Sequence, residues 1–174
     1  MARTLANPNP PGRTTATAGG RKVGGATPRR TSRGIVRSWI EGPWGKHASP
    51  GIAAVRLIGA LKSGLAVEEL DDLRRCLDLP MDKLLPPLGL SKATFHRRKA
   101  SGSLEMAESD RVLRFARLLG LAASALESLE NGRRWFTSPQ VGLGGATPLE
   151  FAETEVGARE VEYLLGRLEY GVYS

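Results

Sequence analysis

Cysteine and histidine are nearly absent from this 174-residue chain, which has one Cys, Cys76, and two His, His47 and His96. A lone cysteine excludes an internal disulfide framework and a cysteine-based structural zinc site, and two histidines leave a three-ligand catalytic metal site short of donors. No apolar run approaches the roughly 20 residues of a membrane helix. Met1 to Gly34 never sets more than two large apolar residues side by side, so the core of a signal peptide is missing. The expectation is a soluble cytoplasmic protein with no membrane association. Sustained two-residue alternation is also lacking, and the fold class expected is all-α.

Acidic residues are scarce at one end. The first 50 residues hold nine basic side chains and one acid, Glu41, whereas the other 124 hold 16 basic and 17 acidic. The net charge of +7 therefore belongs to a tail. Residues 1–34 are rich in Gly, Pro and Thr, with only Leu5 and Val23 as sizeable apolar groups, too few to offset chain entropy, so disorder is expected. That tail reads either as a solubilising extension or as a basic arm with sequence-independent attraction for nucleic acid. Residues 35–50 carry Ile35, Val36, Trp39, Ile40 and Trp44, anchors for a short helical strap on the main body.

From Gly51 the apolar period is helical. Ile52, Val55, Ile58 and Leu61 recur at three-residue steps up to Ser63-Gly64. Val67, Leu70, Leu73 and Leu77 follow, closed by Leu79-Pro80. Glu68, Glu69, Asp71 and Asp72 precede Arg74 and Arg75 in that helix, the order the helix dipole favours. Val112, Ala116, Leu119, Ala123 and Leu126 mark a longer helix ending near Asn131-Gly132, with Gly120 as a candidate break. Thr147-Pro148-Leu149-Glu150 combines a cap, a first-position proline and a capping-box glutamate. Thr154 can cap a last helix whose Ala158, Val161, Leu165 and Leu168 form one face, ending at Tyr170-Gly171. The organisation expected is a tail over 1–34, a strap over 35–50, a DNA-binding domain over 51–130 and a helical unit over 131–174.

The segment from Leu88 to Lys99 carries the chemistry. A helix-turn-helix needs a small residue in a left-handed turn, a polar helix start two residues on, and an apolar residue one turn later to lock the second helix down. Gly89, Ser91 and Phe95 stand in that order, and Leu85 supplies the buried residue of the first helix, which Pro86-Pro87 shortens. Lys92, Thr94, His96, Arg97, Arg98 and Lys99 then lie on the exposed sides of the second helix. Arg and Lys suit guanine edges and phosphates, while Ser and Thr suit phosphates or either base type. The competing reading is a solvated basic surface helix. Arg111, Arg114 and Arg117 form a second basic ridge, explained by solvated pairing with Glu108 and Asp110 or, alternatively, as a phosphate contact. Glu153, Glu155, Glu160, Glu162 and Glu169 have no His, Cys or catalytic Ser beside them and read as a solvated acidic face. No active site and no cofactor are expected. Trp135, Phe136, Tyr163, Tyr170 and Tyr173 are five of the ten aromatics, more than a helical pair can bury alone, so some await a partner.

Three motifs resemble the Xre/MbcA/ParS-type antitoxins, partners of RES-domain toxins. The first is Gly89-Leu-Ser-Lys-Ala-Thr-Phe-His-Arg-Arg98. The second is Leu104 followed by Glu108-Ser-Asp-Arg111. The third runs through Leu143-Gly-Gly, Thr147-Pro-Leu149, Thr154, Gly157-Ala158, Val161, Leu168 and Gly171. Trp135-Phe136 departs from the family's Trp-Leu, and the basic N-terminus lies outside the resemblance. The resemblance implies an antitoxin that occludes the active site of an NAD-consuming or ADP-ribosylating RES toxin and, with it, represses its own operon. It places toxin contacts at Arg159, Glu162, Glu169, Tyr170, Gly171, Val172 and Tyr173, and contacts to double-stranded operator DNA at Ser91, Lys92, Thr94, His96, Arg97 and Arg98. A homodimer is expected within the toxin–antitoxin complex, since such proteins read paired half-sites. The alternative is a stand-alone helix-turn-helix repressor whose C-terminal unit serves dimerisation.

Overall fold

Helix follows helix through the described residues, which in this computed structural model are 34–42 and 50–169, with 50–54 and 56 described in backbone only. The elements are α1 (Ile35–Glu41), α2 (Pro50–Ser63), α3 (Val67–Leu77), α4 (Met81–Leu84), α5 (Lys92–Ser101), α6 (Met106–Ala125), α7 (Leu129–Phe136), a 3₁₀ turn (Val141–Leu143), α8 (Pro148–Phe151) and α9 (Glu155–Glu169). The all-α expectation holds. Residues 1–33 of the tail expected to be disordered over 1–34, the Trp44 part of the strap and residues 170–174 lie outside the described residues.

The 20-residue helix α6 is the spine. Its Val112, Phe115, Ala116, Leu118, Leu119 and Ala122 are fully buried, because α1, α3, α7 and α9 all pack against it. A helix apolar on several sides has to be enclosed on several sides. α3 buries Val67, Leu70, Leu73 and Leu77 at the spacing expected, each contributing roughly 1.5–3 kcal/mol relative to exposure. The loop between α2 and α3 is tied to the start of α6: Leu65 N–H donates to the buried Ser109 hydroxyl at 2.9 Å, and Leu104 N–H to Leu65 C=O at 2.8 Å.

Two glycines act differently from the expectation. Gly120 does not break α6. A Cβ there would stand 2.4 Å from the Trp39 carbonyl oxygen, so its bareness lets α1 cross the spine at backbone contact. Asn131-Gly132 does not end the long helix either. α6 ends at Ala125, Glu127 takes a left-handed φ of 61°, and Ser128 starts α7 by accepting the Asn131 N–H at 3.0 Å. Gly132 lies inside α7, where a Cβ would come within 2.6 Å of the Ala123 nitrogen. Both are contact positions whose reason lies on another helix.

The strap is real over Ile35–Glu41 and better anchored than its anchors alone suggest. Val36 and Ile40 are buried against α3 and α6. Glu69, fully buried on α3, accepts the N–H groups of Ile35 at 3.2 Å and Val36 at 2.9 Å, and so caps α1 from 33 residues away. Burial pushes the Glu69 carboxyl above its ordinary range, against the pull of those N–H groups.

Candidate nucleic-acid interface and C-terminal unit

α4 is a single turn that Pro86-Pro87 does not extend, yet Leu84, Leu85 and Leu88 are all buried beneath it. Gly89 then takes φ +65°, the left-handed conformation required of the turn. Its N–H donates to Pro86 C=O at 2.8 Å, and Leu90 N–H to Leu85 C=O at 2.9 Å. Arg111, reaching up from α6, donates from Nη1 to Leu88 C=O at 2.9 Å and fills the space a Cβ on Gly89 would need. Ser91 caps α5 by accepting the Thr94 N–H at 3.0 Å, and its hydroxyl also bonds the Thr94 hydroxyl at 2.9 Å. The turn geometry read from Gly89, Ser91 and Leu85 is therefore present.

α5 has no fully buried residue and is seated through the half-buried Phe95. Ser91, Lys92, His96, Arg97 and Lys99 are exposed, Thr94 is half-buried, and Lys83 on α4 is exposed as well. The His96 ring lies 5.8 Å, centroid to centroid, from Phe95. These groups form a cationic, hydroxyl-bearing surface with few acids on it. Arg98 departs from its expected place. Its side chain is only 12% exposed and is held by Glu108, at 2.8 Å from Nε, and by Glu105. Those carboxylates also form the capping box at the start of α6, with Glu105 N–H donating to Glu108 at 2.8 Å. Burial alone would raise the Glu108 carboxyl, but the Arg98 guanidinium, the Glu105 N–H and the charge of Arg97 outweigh it and hold it below the ordinary carboxylate range. Arg98 thus fastens α5 to α6.

The arginine ridge of α6 is likewise turned to internal partners. Arg111 serves the turn. Arg114, 13% exposed, pairs with Asp110 at 2.8 Å and Glu155 at 3.3 Å and donates to Glu153 C=O at 3.2 Å. Arg117 meets Glu162 at 2.5 Å. Solvated pairing explains only Arg114–Asp110. The other contacts stitch α6 to the helix-turn-helix on one side and to α9 on the other.

Phe136 on α7 is fully buried edge-on to Phe115, with ring centroids 6.3 Å apart. The loop that follows is closed by Gln140, whose side-chain amide donates to Trp135 and Ser138 carbonyls at 3.0 Å each and whose N–H donates to Ala146 C=O at 3.0 Å. The capping box of α8 forms as expected: Thr147 N–H donates to Glu150 at 3.1 Å, and Glu150 N–H to the Thr147 hydroxyl at 3.2 Å. Hydrogen bonds from Thr147 hold the Glu150 carboxyl below its ordinary range. Thr154 caps α9 through Gly157 N–H at 3.1 Å. Ala158, Val161 and Leu165 are buried, with Leu168 partly so.

Of the residues assigned to toxin contact, Arg159 and Glu169 are exposed on α9. Glu162 is turned inward to Arg117, with its Oε1 shielded from solvent. Tyr170, Gly171, Val172 and Tyr173 lie outside the described residues. Exposed apolar groups in this unit that periodicity did not flag are Val141, 98% exposed at the loop tip, Phe151 at the end of α8, and Val156 on the outer side of α9. Tyr163 stands on that outer side too. No helix among the described residues is long and apolar enough to cross a membrane.

Comparison with known proteins matches residues 56–117 to the antitoxin Xre-like helix-turn-helix domain and residues 121–171 to the antitoxin Xre/MbcA/ParS C-terminal toxin-binding domain. The chain belongs to the Xre/MbcA/ParS antitoxin family. Among its relatives is the antitoxin Xre of Yersinia enterocolitica, 34% identical over 134 residues, which are 75% of this chain and 90% of that protein. The antitoxin Xre of Photorhabdus laumondii is 29% identical over 133 residues, with the same two shares. A Prs ADP-ribosylating antitoxin of a Sphingobium species is 27% identical over 140 residues, 74% of this chain and 84% of that one. Within this antitoxin family frame, the second half of α2 through residue 117 of α6 form the helix-turn-helix part, and the end of α6 through α9 fall in the toxin-binding part.

Proposed function

We propose that this antitoxin neutralises a RES-domain toxin that consumes NAD⁺ or transfers ADP-ribose from it, and that the complex represses its own operon. The observation that carries the reading is the toxin-binding match over 121–171, whose described residues include the exposed apolar groups Val141, Val156 and Tyr163. An apolar surface held in place before contact loses little entropy on binding. The Sphingobium relative's name supports ADP-ribosyl chemistry in the partner. Arg159, Glu169 and residues 170–173 extend the contact towards the toxin's active site, while Glu162 keeps α9 on the spine. The protein itself binds no NAD⁺ and catalyses nothing.

DNA contact falls to α5, with Ser91, Lys92, Thr94, His96 and Arg97 facing the duplex and Arg98 positioning the helix. Basic and hydroxyl groups at the start of an exposed helix, two residues beyond a left-handed glycine, are the arrangement by which such helices enter the major groove. The protein acts in the cytoplasm as a dimer within the toxin–antitoxin assembly. Co-expression with the product of the neighbouring gene, followed by pull-down and an intracellular NAD⁺ assay, tests the reading. A stable complex and restored NAD⁺ are expected. No complex and no protection would leave a DNA-binding repressor in its place.

A further inference from the structure

The basic tail lies outside both matched regions, 56–117 and 121–171. Residues 1–33 hold seven cations and no acid, and five of those cations fall between Arg21 and Arg33. The other 141 residues hold 18 charges of each sign, so the whole net charge of +7 lies ahead of α1. Within the fold, Arg98, Arg111, Arg114 and Arg117 are engaged by carboxylates or carbonyls of neighbouring helices. The cations exposed on the α4–α5 face without an ion pair among the described residues are Lys83, Lys92, Arg97 and Lys99.

The place where this tail joins the fold is fixed, and it is beside α5. The first N–H groups of α1, those of Ile35 and Val36, are held by the Glu69 carboxylate, and Val36 is fully buried. Two residues before Glu69, Val67 N–H donates to the carbonyl of Gly102, the residue that caps the end of α5. The start of α1 therefore stands about 10–20 Å from the end of α5, one to two helix diameters. Gly34, at the junction, takes φ +86°, and a Cβ there would meet nothing within 4 Å. The chain thus leaves the body at an open position near the recognition helix.

We propose that residues 1–33 are a DNA arm that lies on the phosphates flanking the site read by α5 and binds them without regard to sequence. The proposal rests on the DNA reading above. A stretch of 33 residues reaches at most roughly 110 Å, so a root beside α5 brings both rims of a major groove about 12 Å wide within range. Tethering holds the cations at high effective concentration over the duplex once α5 is docked. Each phosphate neutralised releases counterions and steepens the fall of log K with log salt by about 0.9. The tail holds more cations for this than the exposed α4–α5 face does. An anionic membrane is the poorer fit, because Leu5 and Val23 are the only sizeable apolar groups of the tail, too few to bury in the interface.

Fluorescence anisotropy tests the arm on two duplexes of equal length, one from upstream of the gene and one of shuffled sequence, across a series of salt concentrations. The full chain, alone and co-expressed with the neighbouring gene, is compared with a chain lacking residues 2–33, with Arg21→Gln/Lys22→Gln/Arg29→Gln/Arg30→Gln, and with Arg97→Ala. Removal of the tail should weaken binding to both duplexes alike, by about tenfold or more near physiological salt, and lower the salt slope by about 3 or more. The quadruple glutamine variant should reproduce about half of both effects, with helical circular dichroism and melting temperature unchanged. An unchanged slope on both duplexes overturns the proposal. So does a loss confined to the upstream duplex, which would make the tail a reader of bases. Tail-dependent capture by phosphatidylserine vesicles with no change on DNA assigns the tail to a membrane surface and overturns it too. Preference for upstream DNA that depends on Arg97 but not on the tail keeps the recognition helix and rejects the arm. Tail-dependent binding with no preference between duplexes and no response to Arg97→Ala keeps the phosphate contact and rejects the recognition helix. No DNA binding in any form overturns both.

Discussion

Arg98 Nε stands 3.0 and 2.8 Å from the two carboxylate oxygens of Glu108, so a residue of the recognition helix is held by the first turn of the spine. One N–H is shared between both oxygens of Glu108 while Nη2 meets Glu105, so the guanidinium is held between two carboxylates by charge-assisted hydrogen bonds. It fixes the roll of α5 about its axis, and with it the direction in which Lys92 and Arg97 point. Arg98→Ala should therefore lower both melting temperature and DNA affinity, whereas Arg97→Ala should lower DNA affinity alone. For Arg97→Ala we expect binding to upstream DNA to weaken by about tenfold or more, read by fluorescence anisotropy, with an unchanged thermal melt.

The same pair sets a pH dependence. The Glu108 carboxyl titrates below its usual value of 4.5 in the folded protein. Its stabilisation is present above the unfolded value and is lost as pH falls through the folded one. Glu108→Gln should flatten the acid limb of melting temperature against pH below about 4.5, while leaving a lower, pH-insensitive melting temperature near neutrality. An unchanged acid limb would assign acid unfolding to other carboxylates.

Glu69→Ala removes the acceptor for two N–H groups at the start of α1. A buried donor left without a partner costs about 1–3 kcal/mol, and the loss should appear as faster hydrogen exchange across residues 35–41. Glu69→Gln keeps one acceptor oxygen and should fall between the two.

Gly120→Ala places a methyl against the Trp39 carbonyl. Overpacking of this kind costs roughly 1–3 kcal/mol. Denaturant unfolding should show that loss, together with a change in Trp39 fluorescence as α1 shifts off the spine.

Removal of residues 169–174 should abolish neutralisation and spare DNA binding. Cell protection and anisotropy on upstream DNA, measured on one truncated protein, separate the two activities. Tyr163→Ala should weaken toxin capture with no change in melting temperature, because its ring is 67% exposed in the free chain.

What could be read before the fold was known is what the chain does locally. Gly89 and Ser91, Thr147 and Glu150, and Thr154 and Gly157 act across three residues or fewer, so residue type and spacing suffice to find them. The four buried apolar positions of α3 follow from period alone. What escaped depends on distant partners. Glu69 looks like any first-turn acid until α1 lies over it. Arg98 looks like its neighbour Arg97 until Glu108 comes round beneath it. Gly120 and Gly132 resemble stop signals unless the crossing helices are known. The same holds for Arg117 and Glu162, 45 residues apart and each unremarkable alone.

The spine has a consequence for how such proteins can diverge. The matched helix-turn-helix part ends at residue 117 and the toxin-binding part begins at 121, yet α6 runs unbroken from Met106 to Ala125. A crossover at that seam would cut a single helix between Arg117 and Leu121, where Leu118 and Leu119 are fully buried. A chimaera of two antitoxins joined there would inherit one half of each mating surface, with Gly120 from one parent facing the Trp39 strap of another. Exchange of toxin specificity by shuffling is therefore expected to travel with α1 and the whole of α6, and a domain expressed alone should carry that full helix to stay folded.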